Sequence, residues 1–306
     1  MNQSILITGA NAGIGKETAR QLASDNQVNR IILGCRNSTK AQSAKKELET
    51  ATGRNIFEIL IMDVSNAESV KNAIEQLEGS VDALIMNAGG MGGRTPNNKT
   101  ESGMNELAAS NILGHVVLVE GLIEAGKLNK IAMLATSEGI LSVKKKGLKS
   151  SGIKTHTKEE LMSILDGAYF GEKFSVMEGY QLVKYVATLY MSSLSRKYPD
   201  VKFISMSPGA TSGTSVADNT APMMKFMWNN ILPIFFSLFG MGHKVDKGAS
   251  RFVDAISNNN YKTGGVYASK EGKMAGEVVD QFEILPALVN TNSQDNTYEA
   301  VHEFLT

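Results

Sequence analysis

The chain has 306 residues, with 31 Lys and Arg balancing 31 Asp and Glu, and its one cysteine is Cys35. This length suits one large α/β domain or two small ones, and the balanced charge creates no field that favours nucleic acid or an anionic membrane. A single cysteine excludes an internal disulfide and a cysteine-rich metal centre, and it is typical of a reducing compartment. We therefore expect a cytoplasmic protein with no nucleic-acid partner.

Short apolar runs alternate with longer segments of helical period. The runs predict strands at 4–8, 30–35, 56–62, 83–86, 130–136, 201–207 and 265–269. Continuous apolar strands separated by helices predict a parallel sheet covered on both faces. No internal repeat or low-complexity linker divides the chain. We expect residues 1–306 to form a single domain with a doubly wound α/β fold and about seven parallel strands.

The first predicted strand ends in the glycine-rich segment TGANAGIGKETA, which leads directly into a helix. Glycine at positions 9, 13 and 15 allows a tight turn, a close approach of backbone to a pyrophosphate, and close packing of helix on strand. The start of the helix offers free N–H groups to the phosphates. Many strand–helix turns are rich in glycine, but this one lies at the first βα junction of an alternating chain. That position favours a Rossmann-type dinucleotide site.

The second predicted strand ends in LGCRN, where an acid would accept hydrogen bonds from the ribose hydroxyls of NAD. No carboxylate occurs between Gly34 and Asn37, and Arg36 is present instead. A guanidinium suits the 2′-phosphate of NADP, so we predict NADP(H) as the cofactor. The alternative is an exposed arginine that only solubilises a loop. Lys16 and Lys40 are further candidates for the same phosphate.

Two long segments interrupt the alternation, at about 138–177 and about 212–243, and both leave the carboxyl ends of predicted strands. Open α/β sheets bind ligands at that edge, and loops of this length are usually lids or disordered insertions. The first segment is an insertion with a basic cluster at 144–149. Such a cluster is usually a solvated surface, and attraction of an anionic substrate or of acidic lipid headgroups is the alternative.

The second segment contains the most apolar stretch of the chain, FMWNNILPIFFSLFG. Its methionines and aromatic residues suit a flexible cover over a bulky hydrophobic substrate. The same side chains could instead pack in the core, form a dimer contact or lie on a membrane surface. The stretch is too short and too interrupted for a membrane span. The chain start, MNQSILITGA, runs straight into a strand pattern, so we expect no leader segment.

Tyr180 and Lys184 lie four residues apart in YQLVK, within a segment of helical period, and therefore share one helix face. The pair alone could equally be packing. Together with the G-x3-G-x-G turn, however, it resembles the short-chain dehydrogenase/reductase family, and further motifs follow in the family's order. The matching cofactor-site positions are Gly9, Asn11, Gly13, Ile14 and Gly15, then Asp63 and Val64, then Asn87, Ala88 and Gly89, and finally Pro208, Gly209 and Thr211.

The resemblance also implies a set of catalytic residues. Tyr180 matches the general acid/base, and Lys184 matches the residue that lowers the pKa of that tyrosine and binds the nicotinamide ribose. Ser137, in LATSEG, matches the serine that hydrogen-bonds the substrate oxygen. Asn111, in SNILGH, matches the asparagine that holds a water between the lysine and solvent. Each residue alone has a structural explanation, but the four together favour catalysis.

Within the family, TGANAGIGKETA, GCRN and NILGH are similar to the branch of the retinol dehydrogenases and light-dependent protochlorophyllide reductases, which generally uses NADPH. The implied function is NADP(H)-dependent hydride transfer between the nicotinamide and a small hydrophobic alcohol/carbonyl substrate. The 43 residues from Ser137 to Tyr180 resemble an insertion of the protochlorophyllide reductases, so carbon–carbon double-bond reduction is the first alternative. A non-catalytic NADP-binding regulator is the second.

The same reasoning bears on metals and partners. His115, His156, His243 and His302 are scattered without metal-ligand spacing, so we predict no metal site. We expect no integral membrane span, while peripheral membrane contact stays open. A homodimer through the helices of Asn111 and Tyr180 also stays open, because the insertion could block that contact.

Overall fold

The structure is a computed structural model that describes residues 3–144, 153–172, 174–212 and 242–305. Most of the predicted lid and all but one residue of the basic cluster therefore lie outside the described residues. The strands are β1 (Gln3–Thr8), β2 (Val28–Cys35), β3 (Phe57–Ile61), β4 (Val81–Met86), β5 (Leu128–Ala135), β6 (Lys202–Met206), β7 (Thr211–Ser212), β8 (His243–Lys244), β9 (Gly265–Ser269) and β10 (Val278–Asp280).

One sheet holds eight of these strands in the order β10-β9-β6-β5-β4-β1-β2-β3. Within this sheet every neighbouring pair from β9 across to β3 is parallel. Strand β10 pairs antiparallel with β9 at the edge. The seven parallel strands confirm the predicted doubly wound fold. The sequence prediction missed β10, because three residues are too short to show a strand pattern. It also missed the small parallel pair formed by β7 and β8.

Helices cover both faces of the sheet, as the continuous apolar strands predict. They are α1 (Gly13–Leu22), α2 (Ser38–Thr52), α3 (Ala67–Gln76), α4 (Glu106–Glu124), α5 (Lys158–Asp166), α6 (Val176–Lys197), α7 (Val245–Ser257) and α8 (Thr291–His302). Short 3₁₀ helices lie at Glu138–Lys144, Ala168–Phe170 and Pro286–Val289.

The alternation of side chains along β1 divides the core into two layers. Ile5 and Ile7 belong to the hydrophobic cluster that includes residues of α1, α2 and α7. Leu6 belongs to the cluster on the other face, with residues of α3, α4, α6 and α8. Strand β1 therefore presents apolar side chains to a helix layer on either face of the sheet.

Helix α4 contains a π-helical turn at Ala109–Leu113, a feature that is frequent at functional sites. Among the described residues α4 is also the one helix whose length and hydropathy would suit a membrane crossing, with 19 residues and a mean hydropathy of 1.4. In the folded chain, 72% of the most apolar 18-residue stretch of this helix is buried inside the protein. Gly114, just after the π turn, donates its N–H to Val64 O at 2.9 Å, which attaches the helix to the end of β3.

The insertion after β5 packs onto the core through the described residues 153–172. Helix α5 packs against α6 and α8, and α8 packs in turn along α6. Thr157 begins α5 as an N-cap, since its side chain accepts a hydrogen bond from Glu160 N. The helix that carries Tyr180 and Lys184 is therefore covered on its outer side by two helices of the same chain.

Candidate active site

A cleft of about 870 Å³ opens at the carboxyl ends of the parallel strands. This is the edge at which open α/β sheets bind ligands. Thirteen of the residues predicted from the sequence line the cleft. They are Gly9, Asn11, Ile14, Arg36, Lys40, Asp63, Val64, Asn87, Ala88, Gly89, Tyr180, Lys184 and Pro208.

The glycine-rich turn between β1 and α1 forms one wall of the cleft. Gly9 and Gly13 have φ values of +67° and +54°, which side chains rarely adopt. A Cβ on Gly15 would lie 2.5 Å from Gly9 O and 2.6 Å from Asn87 Nδ2, so the helix start packs directly on the turn. Ala12, the N-cap of α1, makes no side-chain cap bond, which leaves N–H groups of the first turn available. Free N–H donors beside a glycine turn without side chains suit the binding of a pyrophosphate.

The segment after β4 is fixed to this turn through Thr8. Asn87 Nδ2 donates to Thr8 O at 2.9 Å, and the N–H groups of Asn87 and Ala88 both donate to Thr8 Oγ1 at 2.9 Å. Because Thr8 Oγ1 accepts both N–H groups, its own proton goes to His115 Nε2, 3.0 Å away. Burial lowers the pKa of His115 to about 3, and Lys184 adds to this effect. His115 is therefore a neutral acceptor behind the cleft, a role that the sequence analysis missed.

At one end of the cleft lie the groups predicted to select the cofactor. Arg36 and Lys40 line the cleft and are exposed. Lys16, the third candidate, forms an ion pair with Glu47 at 2.7 Å. Cys35 precedes Arg36 and is buried, and desolvation raises its pKa to about 11. That cysteine is consequently an uncharged packing residue, and the cationic character of this end comes from Arg36 and Lys40.

Asp63 and Val64 form the wall between the two ends of the cleft. The Asp63 carboxylate accepts hydrogen bonds from Ser65 N at 2.9 Å and Ser65 Oγ at 2.6 Å, which orients it at the turn after β3. A Cβ on Gly114 would lie 2.2 Å from Val64 O, so a glycine is required where α4 crosses this turn. The sequence analysis did not single out Gly114, although it is part of the SNILGH segment that contains Asn111.

At the other end of the cleft, Ser137 lies close enough to Tyr180 for its hydroxyl to influence the pKa of the phenol. Ser137 Oγ accepts the N–H of Gly139 at 3.1 Å. Burial raises the pKa of Tyr180 to about 12, and the nearby hydroxyl of Ser137 acts in the opposite direction. The sequence analysis expected a lowered pKa in the complex with oxidised cofactor. The protein alone holds the phenol in its protonated form at neutral pH.

Lys184 lies one helical turn after Tyr180, as predicted from the spacing. It is only 3% exposed, and its Nζ donates to Ala135 O at 2.9 Å. Nζ lies 5.8 Å from the centroid of the Tyr180 ring. Desolvation lowers the pKa of Lys184 to about 8, because burial disfavours the ammonium. A lysine with a pKa close to neutrality can take up or release a proton beside the tyrosine.

Asn111 lies behind the cleft in the π turn and is fully buried. Its Nδ2 donates to Gly90 O and Leu107 O, each at 2.8 Å, and its Oδ1 accepts the N–H of Gly90 at 3.3 Å. A Cβ on Gly89 would lie 2.5 Å from Asn111 Oδ1 and 3.5 Å from Lys184 Nζ. Asn111 therefore holds the segment after β4 beside Lys184.

The remaining predicted residues support the cleft from behind. Thr211 Oγ1 lies 3.0 Å from Pro208 O and 3.1 Å from Gly209 O, and Gly209 has a φ of +76°. His243 Nε2 donates to Pro208 O at 2.7 Å. The turn after β6 is thus fixed on one side by β7 and on the other by β8.

The fold is doubly wound, and the residues of the cleft fit a dinucleotide. Comparison with protein families matches residues 3–139 to the family described as short chain dehydrogenase. Among curated proteins, the chain is similar to retinol dehydrogenase 12 of Homo sapiens, with 34% identity over 44% of this chain and 43% of that protein. It is also similar to short-chain dehydrogenase anuI of Penicillium roqueforti, with 34% identity over 44% and 56%.

Solved structures extend the likeness of the fold over most of the chain. L-sorbose reductase from Gluconobacter frateurii, solved with NADPH and L-sorbose, has a TM-score of 0.64 at 16% identity and covers 90% of this chain and 98% of its own. Salutaridine reductase from Papaver somniferum has a TM-score of 0.63 at 17% identity, over 88% and 100%. The likeness in sequence to the short-chain dehydrogenases therefore covers residues 3–139, and the likeness in fold covers most of the chain. The match spans about half, or less, of the length of the curated relatives.

Proposed function

We propose that the protein is an NADP(H)-dependent oxidoreductase that acts on a hydrophobic alcohol/carbonyl pair, with Tyr180 as general acid/base. The observation that carries the proposal is that Tyr180 and the buried Lys184 line the same cleft as the glycine-rich turn. Ser137 lies beside Tyr180, next to Thr136 of the cleft wall. The retinol dehydrogenases among the relatives support an apolar substrate, and the NADPH-bound reductases of similar fold support the cofactor.

The residues of the cleft fit the cofactor along its whole length. The glycine-rich turn and the start of α1 would hold the pyrophosphate, Asp63 and Val64 the adenine, and Arg36 with Lys40 the 2′-phosphate. Bound NADPH would supply the hydride that reaches the carbonyl carbon. Lys184 would hold the nicotinamide ribose, and Pro208 would bound the site on the far side.

The protonation states of the chain suit the reductive direction. Tyr180, with a pKa of about 12, is protonated at neutral pH and can give its hydroxyl proton to the substrate oxygen as negative charge develops there. Ser137 Oγ, beside Tyr180, would donate a hydrogen bond to the same oxygen. Lys184, with a pKa of about 8, would stabilise the resulting phenolate and return the proton.

The test is the rate of Tyr180→Phe with a substrate found by screening NADPH oxidation against retinals, ketosteroids, quinones and aliphatic aldehydes. The change removes only the hydroxyl, and we expect kcat to fall about 10²–10⁴-fold with NADPH affinity retained. Tyr185→Phe is the matched control, because that hydroxyl is bonded to His156 at 3.0 Å on the same helix. A near wild-type kcat for Tyr180→Phe, with chemistry rate-limiting, would contradict the proposal.

A further inference from the structure

A buried ion pair lies directly behind the proposed catalytic residues. Glu138 follows Ser137 in the chain, and its Oε1 is 3.3 Å from Nη1 of Arg251 on α7. Both side chains are only 7% exposed. Neither residue lines the cleft, and the sequence analysis identified neither. The one available signal was Arg251 on the apolar face of α7, next to the fully buried Phe252.

The pair joins the carboxyl ends of three neighbouring strands. Glu138, three residues after β5, accepts hydrogen bonds at Oε1 from Ser207 Oγ and Ser269 Oγ at 2.9 Å each and from Ser269 N at 3.0 Å. Ser207 directly follows β6, and Ser269 ends β9. We call these four side chains, Glu138, Arg251, Ser207 and Ser269, the strand-end brace.

Arg251 completes the strand-end brace through its second nitrogen. Nη1 donates to Ser207 O at 3.2 Å, and Nη2 donates to Ser269 Oγ at 3.0 Å and to Gly276 O at 2.7 Å. Each serine hydroxyl gives its proton to Glu138 and accepts another: Ser207 Oγ accepts Gly209 N at 3.1 Å. The bonds are therefore mutually consistent in direction, and a shift of any one strand end would break several of them.

Stability alone does not account for such a pair. Removing two charges from water costs several kcal/mol per ion, and apolar side chains of similar volume are often as stable. Desolvation lowers the pKa of Arg251 against the opposing effect of Glu138. What the pair does provide is fixed geometry on both sides of the reacting atoms. It holds the segment 137–139 on one side, and on the other it holds Ser207, next to Pro208 in the cleft wall.

We propose that Glu138 and Arg251 are positioning residues that set the orientation of Ser137 against Tyr180 and the turn after β6. The inference rests on the proposed function, because it assumes that Ser137 contacts the substrate oxygen. Ser137 Oγ accepts the N–H of Gly139 at 3.1 Å, and Glu138 lies between these two residues in the chain. The anchored side chain of Glu138 therefore fixes the segment that orients Ser137 Oγ towards Tyr180. A misplacement of about 1 Å in such a contact can cost about a hundredfold in rate.

The experiment is a double-mutant cycle between the ion pair and Ser137. The paired variant Glu138→Leu with Arg251→Met removes both charges together, so that no buried ion is left uncompensated. We expect its kcat to fall about ten- to a hundredfold, while NADPH still binds in a fluorescence titration. In the Ser137→Ala background the same two changes should cause no further loss, because the residue that they position is already absent.

A second variant keeps the test decisive if the paired variant does not fold. Arg251→Lys keeps the charge but cannot reach several acceptors at once, and we expect a roughly three- to tenfold loss of kcat, again absent with Ser137→Ala. The control is Lys130→Met with Asp82→Leu. That pair is bonded at 2.9 Å between β4 and β5 near their amino ends, and its loss should leave kcat unchanged.

The outcomes separate this inference from the proposed function. If Ser137→Ala itself keeps the wild-type kcat, the proposed function fails and the inference fails with it. If Ser137→Ala lowers kcat but loss of the ion pair does not, the inference alone is wrong. Equal losses from removing the ion pair in both backgrounds would mean that the strand-end brace acts on the fold and not through Ser137, which also overturns the inference.

Discussion

The two parts of the chain build the cleft in different ways. Residues 3–139 contribute mainly backbone: a turn of glycines, a helix start without a side-chain cap, and a segment after β4 bonded to Thr8. The described residues between 153 and 305 contribute the side chains of Tyr180 and Lys184 to the cleft. The turn after β6 is supported from behind by a contact between distant positions, Arg251 and Glu138, which lie 113 residues apart. A site made of backbone needs glycine at fixed spacing and leaves a sequence motif. A site made of distant side-chain contacts leaves almost none.

The largest expected effect tests the backbone side of this comparison. In Gly15→Val the new Cβ would lie 2.5 Å from Gly9 O and 2.6 Å from Asn87 Nδ2, so the turn and the segment after β4 must separate. Overpacking of this kind costs about 3 kcal/mol, and we expect NADPH affinity to fall at least about a hundredfold. Titration of NADPH fluorescence measures the change.

The control for this variant is Gly53→Ala. Gly53 also has a positive φ, +68°, but a Cβ there would meet no atom within 4 Å. This change should lower stability by about 1 kcal/mol through backbone strain alone and leave NADPH binding intact. Wild-type affinity in a folded Gly15→Val variant would contradict a cofactor site made of backbone.

The second prediction concerns Arg36, the side chain that we expect to matter most for cofactor choice in the first part of the chain. Loss of a charge-assisted contact to phosphate costs about 1.5–3 kcal/mol. Arg36→Asp should therefore weaken NADPH binding roughly ten- to a hundredfold and weaken NADH binding much less. Dissociation constants for both nucleotides decide the matter.

Arg30→Asp is the matched control for this charge change. Arg30 lies on the same strand, β2, and its guanidinium is bonded to Glu58 at 2.7 Å, with no part in the cleft wall. It should leave the NADPH preference unchanged. A wild-type protein that prefers NADH would overturn the assignment of NADP(H).

The sequence predicted the parallel sheet and the glycine-rich wall of the cleft for the same physical reason. Strands buried on both faces must be apolar throughout, and a backbone phosphate site must have glycine, so both leave local patterns. Tyr180 and Ser137 were found only through resemblance to a family, since a helix pair and a strand-end serine have no local signature of their own. His115, Glu138 and Arg251 were missed, because their partners lie far away in the chain.

The third prediction addresses the conflict between stability and function at Lys184. The lowering of its pKa from 10.5 to about 8 means that burying the charged ammonium costs about 3 kcal/mol. Lys184→Met also loses the bond to Ala135 O, worth about 1 kcal/mol. We therefore expect the variant to be more stable than wild type by about 2 kcal/mol at pH 7, and inactive. Urea denaturation measures the difference.

The lowered pKa of Lys184 also predicts how the difference in stability between the two proteins changes with pH. The native lysine binds fewer protons than the unfolded one between pH 8 and 10.5, so wild-type stability should rise over that range and the advantage of Lys184→Met should shrink. Leu182→Met, on the same helix and also buried, controls for the added methionine. A variant less stable than wild type at pH 7 would show that the ammonium is compensated in the fold.

The smallest expected effect refines the comparison, because His115 belongs to the first part of the chain and yet acts through side chains. Its Nε2 accepts the proton of Thr8, 107 residues away, so His115→Leu leaves that hydroxyl without its acceptor and should cost about 1 kcal/mol at pH 7. The pKa of His115 is lowered from 6.5 to about 3, so its contribution to stability is complete above pH 6.5 and declines as the pH falls towards 3. At pH 5.5 wild type should have lost about 1.4 kcal/mol that the variant does not lose, and the two stabilities should then be nearly equal.

Nitrogen NMR of the imidazole should find the proton on Nδ1 and no titration between pH 5 and 8. A charged His115 at pH 6, or a gap between the two proteins that stays constant with pH, would mean that the turn is held by its backbone alone.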